Sequence, residues 1–346
     1  LKIESDPDKP INIIGSVISN TIYTYSILEN EIQIEYLPFT DPKEYDASAY
    51  GKKISPNRER LVYILTYQEL TSKEWINRQI MLLDLNHPVK ILSGYNPNDQ
   101  LIGWLNNEWL IFNPTVPYQH FISLWNPSNG GTKRLTTDLP ELYYEPATSL
   151  WFGSNNPVPK YDPSGALAVY IRGSGEMQYA LWDIKSQILL WSRDVWNISE
   201  EPQWSSNGEY FALAVPPIDA GTSEIYIIDR NGEETQITNF NSYFSGLYVG
   251  PISWSPDNRY IAFWITYINP GDIEWEIAIV NVETGEITDY CITGYEVTPI
   301  WSPDSRQIAI AYHNQDETYE GIAILDIFDE KAFLLAEDVR PAGWIK

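Results

Sequence analysis

Trp254-Ser255-Pro256-Asp257-Asn258-Arg259-Tyr260-Ile261-Ala262-Phe263 decides how this chain folds, because the chain keeps repeating it. Trp301-Ser302-Pro303-Asp304-Ser305-Arg306-Gln307-Ile308-Ala309-Ile310 is nearly a copy. Residues 204–213 (WSSNGEYFAL) and 161–169 (YDPSGALAV) are looser versions. Residues 54–63 keep the turn and the apolar run but lose the Trp, residues 104–112 keep the Trp and lose the Pro, and Trp344 stands where another copy would begin. Ser-Pro-Asp-Asn is turn chemistry: Pro presets φ, and the Ser and Asp side chains bond nearby backbone amides. The Tyr-Ile-Ala-Phe that follows is a short β-prone apolar run, the pattern of a strand buried on both faces. The preceding Trp brings a large apolar surface, worth roughly 1.5–3 kcal/mol when buried. Each copy reads as strand, tight turn, strand.

The copies begin 43–57 residues apart, about 48 on average. That period fits a four-stranded propeller blade, slightly longer than the common ~40–45 residues. Third strands recur at 79–84, 120–125, 179–183, 224–229, 276–281 and 321–326, and turns such as Arg230-Asn231-Gly232 and Glu283-Thr284-Gly285 lead into the fourth. Six blades follow. For a seventh, Trp344-Ile345 supplies one strand, and residues 11–17, 21–28 and 31–37 supply three. Pairing the two ends in one sheet removes the free edges an open array exposes. The expected fold is therefore an all-β, seven-bladed propeller of antiparallel four-stranded blades, one domain over 11–346. A six-bladed ring with the N-terminal strands packed elsewhere is the alternative.

The W-S-P-D-x-x-x-I-A motif followed by an E-I-x-(I/V)-x-D strand resembles the WD-like repeats of TolB-type propellers. Related repeats occur in the propeller domains of prolyl-oligopeptidase-type enzymes and in oligogalacturonate lyase. The resemblance covers about 54–346 directly. TolB carries an additional N-terminal α/β domain that this sequence lacks, so TolB's partners do not carry over.

The net charge of −25 argues against nucleic acid and against unaided docking on anionic lipid. No run of 18 apolar residues is present, so no direct membrane insertion is expected. A single cysteine, Cys291 in a strand-like run, excludes an intrachain disulfide and reads as a buried inert thiol. The sequence begins with Leu, and residues 1–10 (LKIESDPDKP) have the composition of a tether. An exported protein is the expectation, whether periplasmic, secreted or anchored at the cell surface through that tether, and a cytosolic one is the alternative.

Strand order assigns the rims. In a four-stranded meander A–D, the A–B and C–D turns share one end, and the B–C and D–A loops share the other. The Ser-Pro-Asp turns make the first end uniform. The other carries B–C loops at 68–77, 113–119, 173–178, 216–223, 266–275 and 313–320, and D–A loops at 93–99, 138–145, 196–201, 239–250 and 293–298. These hold Trp75, Tyr118, Tyr143, Tyr144, Asp219, Tyr243, Phe244, Tyr248, Asp272, Trp275, Tyr295, Asp316 and Tyr319. Clustered loop aromatics are a binding signature, since Tyr and Trp carry much interface energy. The alternative for any one of them is packing between blades.

Catalytic patterns are absent from the sequence. There is no Gly-x-Ser-x-Gly elbow and no glycine-rich phosphate loop. His87, His120 and His313 fall at unlike places in different blades, so no metal site and no cofactor are expected. Asp229-Arg230-Asn231-Gly232 lacks the downstream Glu of a calcium loop and reads as a hairpin turn. The reading is a non-catalytic extracytoplasmic scaffold whose acidic, aromatic loop face binds a protein or glycan. Self-assembly through those loops is one alternative. A glycan-active enzyme using paired acids, such as Glu200 with Glu201 or Asp272 with Glu274, is another.

Overall fold

The computed structural model describes residues 12–16, 21–26, 31–36, 45–69, 75–84, 87–92, 100–113, 122–135, 139–140, 159–173, 177–195, 201–215, 221–267, 274–313, 320–337 and 340–345. The tether at 1–10 lies outside them. Among the described residues the chain is all β, with one short 3-10 turn at Phe240–Ser242. Two compact units are formed, one from 1–136 with 300–346 and one from 137–299.

The first unit opens with β1 (Asn12–Ser16), β2 (Thr21–Ser26) and β3 (Glu31–Tyr36). Next come a sheet of β4 (Tyr45–Ile54), β5 (Arg60–Glu69), β6 (Trp75–Asp84) and β7 (His87–Leu92), and one of β8 (Gln100–Trp104), β9 (Leu110–Asn113), β10 (Ile122–Trp125) and β11 (Thr132–Leu135). The second unit holds β12 (Lys160–Tyr161), β13 (Leu167–Arg172), β14 (Met177–Asp183) and β15 (Ile188–Val195), then β16 (Gln203–Trp204), β17 (Tyr210–Val215), β18 (Glu224–Asp229) and β19 (Glu234–Gln236). Its last four strands are β20 (Leu247–Trp254), β21 (Tyr260–Tyr267), β22 (Trp275–Asn281) and β23 (Ile287–Gly294). The first unit resumes with β24 (Ile300–Trp301), β25 (Gln307–His313), β26 (Glu320–Asp326) and β27 (Lys331–Glu337), and ends on β28 (Arg340–Ile345). Each run of four is an antiparallel meander. The expected sharing of one sheet by the two ends of the chain is met: β28 pairs antiparallel with β1, Ile13 opposite Trp344, giving the order β28-β1-β2-β3.

The repeated turn works as its residues dictate. Ser255 Oγ donates to Asp257 Oδ1 (2.6 Å) and accepts from the Tyr260 amide (3.0 Å). Ser302 repeats both bonds with Asp304 and Gln307, and Ser55 and Ser205 do so with Asn57 and Asn207 in place of the Asp. In the copy that begins with Tyr161, Asp162 takes over the Ser position and accepts from the Leu167 amide at 2.8 Å. The residue four places after the Trp, or after its replacement, has a left-handed φ in five copies: Arg58 60°, Gly165 72°, Gly208 71°, Asn258 62° and Ser305 62°. Gly and Asn suit that conformation; Arg58 and Ser305 hold it at some steric cost.

The repeated Trp has a second use that its bulk does not announce. Its indole Nε1 donates to a main-chain carbonyl one repeat earlier: Trp104 to Lys53, Trp204 to Lys160, Trp254 to Gln203 and Trp344 to Ile300, all at 2.9–3.1 Å. The ring packs between sheets while the N–H fixes their offset. In the second unit this cements a core of Ala212, Ile225, Leu247, Trp254, Phe263 and Val280, contributed by successive meanders.

Cys291 departs from expectation. It is exposed, with φ at +50°, in a bulge where β23 slips against β22. An extra residue at a bulge turns its side chain out of the pleat.

Candidate binding site

The described candidate residues of the second unit gather at one end of the β20–β23 meander. The turns at 255–259 and 282–286 lie at one end, and Tyr243, Phe244, Trp275 and Tyr295 lie at the other. Trp75 opens β6 in the first unit. Tyr118, Tyr143, Tyr144, Asp219, Asp272, Asp316 and Tyr319 lie outside the described residues, as do His120 and Glu200.

Tyr243 and Phe244 stand on the segment joining β19 to β20, and a carboxylate that the sequence did not single out holds that segment. Glu224 opens β18 and is only 2% exposed. It accepts from Thr238 Oγ1 (2.5 Å), the Phe240 amide (3.0 Å) and the Asn241 amide (2.8 Å). Thr238 Oγ1 accepts in turn from the Ile225 amide (2.8 Å). The far side of the loop is tied by Thr222, whose Oγ1 donates to the Phe244 carbonyl (3.1 Å) and whose amide donates to Asn241 Oδ1 (3.1 Å). A buried carboxylate is tolerated because its oxygens are satisfied, and the amides it engages are those a 3-10 turn leaves free. The one sequence signal for Glu224 is a charge heading the otherwise apolar Ile225-Tyr226-Ile227-Ile228.

With its backbone fixed, the loop presents aromatic surface. Tyr243 is 80% exposed and Phe244 41%. Phe244 lies tilted against Phe240 at 6.3 Å and edge-on to Tyr267 at 5.8 Å, and Tyr267 is itself 39% exposed. Phe240 is buried and packs on Phe263, so the exposed rings rest on the core.

Trp275 and Tyr295 are placed differently. The expected loop 266–275 begins after Tyr267 and ends before Trp275, which opens β22 and pairs with Gly294. The Trp275 ring lies against Gly250, where an added Cβ would come within 2.8 Å of it and 3.2 Å of the Trp264 Cβ. Trp275 therefore belongs to the opposite face of the sheet from Tyr267. Tyr295 is half-buried just past β23, and its carbonyl accepts from the Val297 amide. The Val297 carbonyl in turn accepts from Trp264 Nε1 (2.7 Å). Tyr248, expected in a loop, is a strand residue of β20.

An acidic strip continues the aromatic one. Ile265 pairs with Glu276 and Ala278 with Asp289, so Tyr267, Glu276 and Asp289 point to one face of three adjacent strands. Burial, and then the charges of Asp289 and Glu274, push the Glu276 carboxyl above its usual range. Burial, Asp289 and Glu276 push the Tyr267 phenol up. The Cys291 thiol is pushed up first by Asp289, then by burial and Glu276. Asp229, read as a hairpin residue, accepts from the Asn231 and Glu233 amides (both 2.8 Å) in its turn. Among the described residues no group of His, Cys, Asp or Glu is arranged to hold a metal ion.

No family model matches this sequence, and no curated protein does. Solved structures do. Oligogalacturonate lyase in complex with manganese is similar at 12% identity over 95% of this chain and 85% of that one, with a TM-score of 0.56. The acylaminoacyl peptidase of Pyrococcus horikoshii is similar at 12% identity over 83% of this chain and 46% of that one, TM-score 0.53. TolB from Acinetobacter baumannii is similar at 15% identity over 96% and 81%, TM-score 0.48. Such identities speak for fold alone. With its four-stranded antiparallel meanders, and with those likenesses, this chain is in fold a β-propeller.

Proposed function

We propose that this protein is a non-catalytic, extracytoplasmic recognition propeller that presents an aromatic, acidic loop face to a protein or glycan partner. One observation carries the reading: Tyr243 and Phe244 are exposed on a loop whose backbone is pinned by the buried Glu224. Rings ordered before binding lose little freedom on binding, which is where rigid aromatic contacts gain affinity. The same proposal has residues 11–346 forming one domain, with blades closing as a ring of seven through β28 and β1. The test replaces Tyr243 and Phe244 by Ala together and measures partner capture from the native extract alongside thermal unfolding. Capture should be lost. Stability should fall by no more than about 1–2 kcal/mol, most of it from Phe244. Unchanged capture sinks the reading, and loss of a native oligomer on size exclusion redirects it to self-assembly.

A second reading, a carboxylate-dependent glycan-active enzyme, is favoured by the raised Glu276 carboxyl beside Asp289 and Glu274. It requires that Glu276→Gln and Asp289→Asn each abolish turnover of an oligosaccharide that the native protein cleaves. Absence of cleavage across neutral and acidic oligosaccharide panels removes it.

A further inference from the structure

The exposed rings and the carboxylates beside them together select a kind of partner. Phe244 and Tyr267 meet edge to face and are each about two-fifths exposed, and Tyr243 projects next to Phe244. From Tyr267 the strand register carries the surface onto Glu276 and Asp289 on the same sheet face. Such a surface gives a ligand apolar ring faces on one side and negative charge on the other. No Lys, Arg or His occurs between Arg259 and Arg306. Arg259 itself sits on the turn at the opposite end of the meander, bound to Asp257. Elsewhere in the unit Lys160 is held by Glu201, Arg193 by Glu234 and Arg230 by Asp162.

We infer that this surface docks a basic segment of a protein partner, with an arginine or lysine stem lying over Phe244 and Tyr267 and its charge against Glu276 and Asp289. The inference rests on the recognition reading above and narrows it from protein or glycan to a cationic peptide. Two physical reasons favour that occupant. An arginine satisfies both halves of the surface at once, because guanidinium stacks on ring faces and also pairs with carboxylates. A neutral sugar would use the rings but leave the neighbouring carboxylates as uncompensated as before, and an acidic sugar would be repelled.

The test uses the full chain and a fluorescein-labelled peptide of four arginine-glycine repeats, with a citrulline-glycine peptide as its uncharged control, read by fluorescence anisotropy. Four proteins are compared: the native chain, Phe244→Ala, the pair Glu276→Gln with Asp289→Asn, and the pair Glu283→Gln with Glu286→Gln. The last pair removes the same charge from the turn at the other end of the meander. The native chain should bind the arginine peptide and not the citrulline one. The Glu276/Asp289 pair should weaken binding about tenfold or more, and Phe244→Ala by about fivefold. The Glu283/Glu286 pair should change it less than about twofold. Equal losses for the two acidic pairs would mean diffuse attraction to an acidic protein and would overturn the inference. Failure of the arginine peptide while cellohexaose binds in a Phe244-dependent way would overturn it too, leaving the broader recognition reading intact. That broader reading falls separately, if native-partner capture ignores Tyr243→Ala with Phe244→Ala.

Discussion

Trp254 divides its work between an apolar ring and a single N–H. The ring lies in the core with Phe263 and Leu247, and Nε1 donates to the Gln203 carbonyl of the preceding repeat at 2.9 Å. Trp254→Phe keeps a ring but shrinks it and leaves that carbonyl without the indole. A loss of about 2–4 kcal/mol is expected in denaturant unfolding, combining a small cavity with a forfeited hydrogen bond. A loss below half a kcal/mol would mean that the N–H contributes nothing to stacking the repeats. The size and spacing of the Trp were plain in the sequence, but its bond was not, since an indole partner fifty residues away leaves no local pattern. Cys291 escapes its local pattern for a related reason. Its neighbours Tyr290 and Ile292 look like a strand interior, yet the bulge sets Cys291 outward at positive φ. The negative charge of Asp289 raises its thiol, so the exposed cysteine should alkylate slowly with iodoacetamide at neutral pH. Asp289→Asn should speed that reaction several-fold in stopped-time mass spectrometry, and an unchanged rate would remove Asp289 as the cause.

At the scale of the element, β18 opens on Glu224-Ile225 and β22 carries Glu276-Ile277 just after its first residue, and the two strands use the Glu in different ways. Glu224 is spent on the loop that follows β19, where two backbone amides and a hydroxyl consume it. Glu224→Gln exchanges one accepting oxygen for an amide that cannot receive an N–H. It should cost about 1–3 kcal/mol and speed hydrogen exchange at Phe240 and Asn241 by about tenfold or more. It should also weaken partner capture with both exposed rings still present. Normal capture by a protein with a loosened loop would detach pre-ordering from recognition. Glu276 has no such cradle among the described residues, and burial with two acidic neighbours raises its carboxyl. A carboxyl whose folded value exceeds its unfolded one favours folding fully below the unfolded value, and that contribution is lost as pH rises through the folded value. That contribution is diminished toward neutral pH, so Glu276→Gln should raise the melting temperature there. The gap should close on acidification below the usual glutamate value of 4.5. A gap that is equal at both ends of the pH range would assign the effect to packing. None of this was readable from the two Glu-Ile pairs, because burial and the charges of Asp289 and Glu274 in the same meander decide the outcome for Glu276.

For the whole molecule, the repeat spacing and the order of turn, strand and loop were sufficient to give an all-β meander architecture, and the prediction that both ends of the chain share a sheet holds in the register Ile13 opposite Trp344. Loops were legible only as places where aromatics accumulate. Whether a ring is presented, like Tyr243, or folded onto the sheet, like Trp275, depends on strand ends shifting by one or two residues, which propensity does not resolve. The end-to-end pairing makes a demand that a terminal strand elsewhere would not. β28 covers the edge of β1, and Trp344, 2% exposed, packs with Ala309, Ile322 and Ile324 while its indole holds the Ile300 carbonyl. Deleting 340–346 would uncover that edge, open the pocket left by the Trp, and strip an indole bond, three losses in one cut. Trp344→Ala alone should cost about 3–5 kcal/mol. The deletion should cost more and drive the protein to aggregate through the bared strand, read as a lowered, scan-rate-dependent calorimetric transition with rising light scattering. A deletion protein that melts where the intact chain melts, and stays monomeric, would show that β28 adds nothing to the sheet it joins and would remove the support for a closed ring.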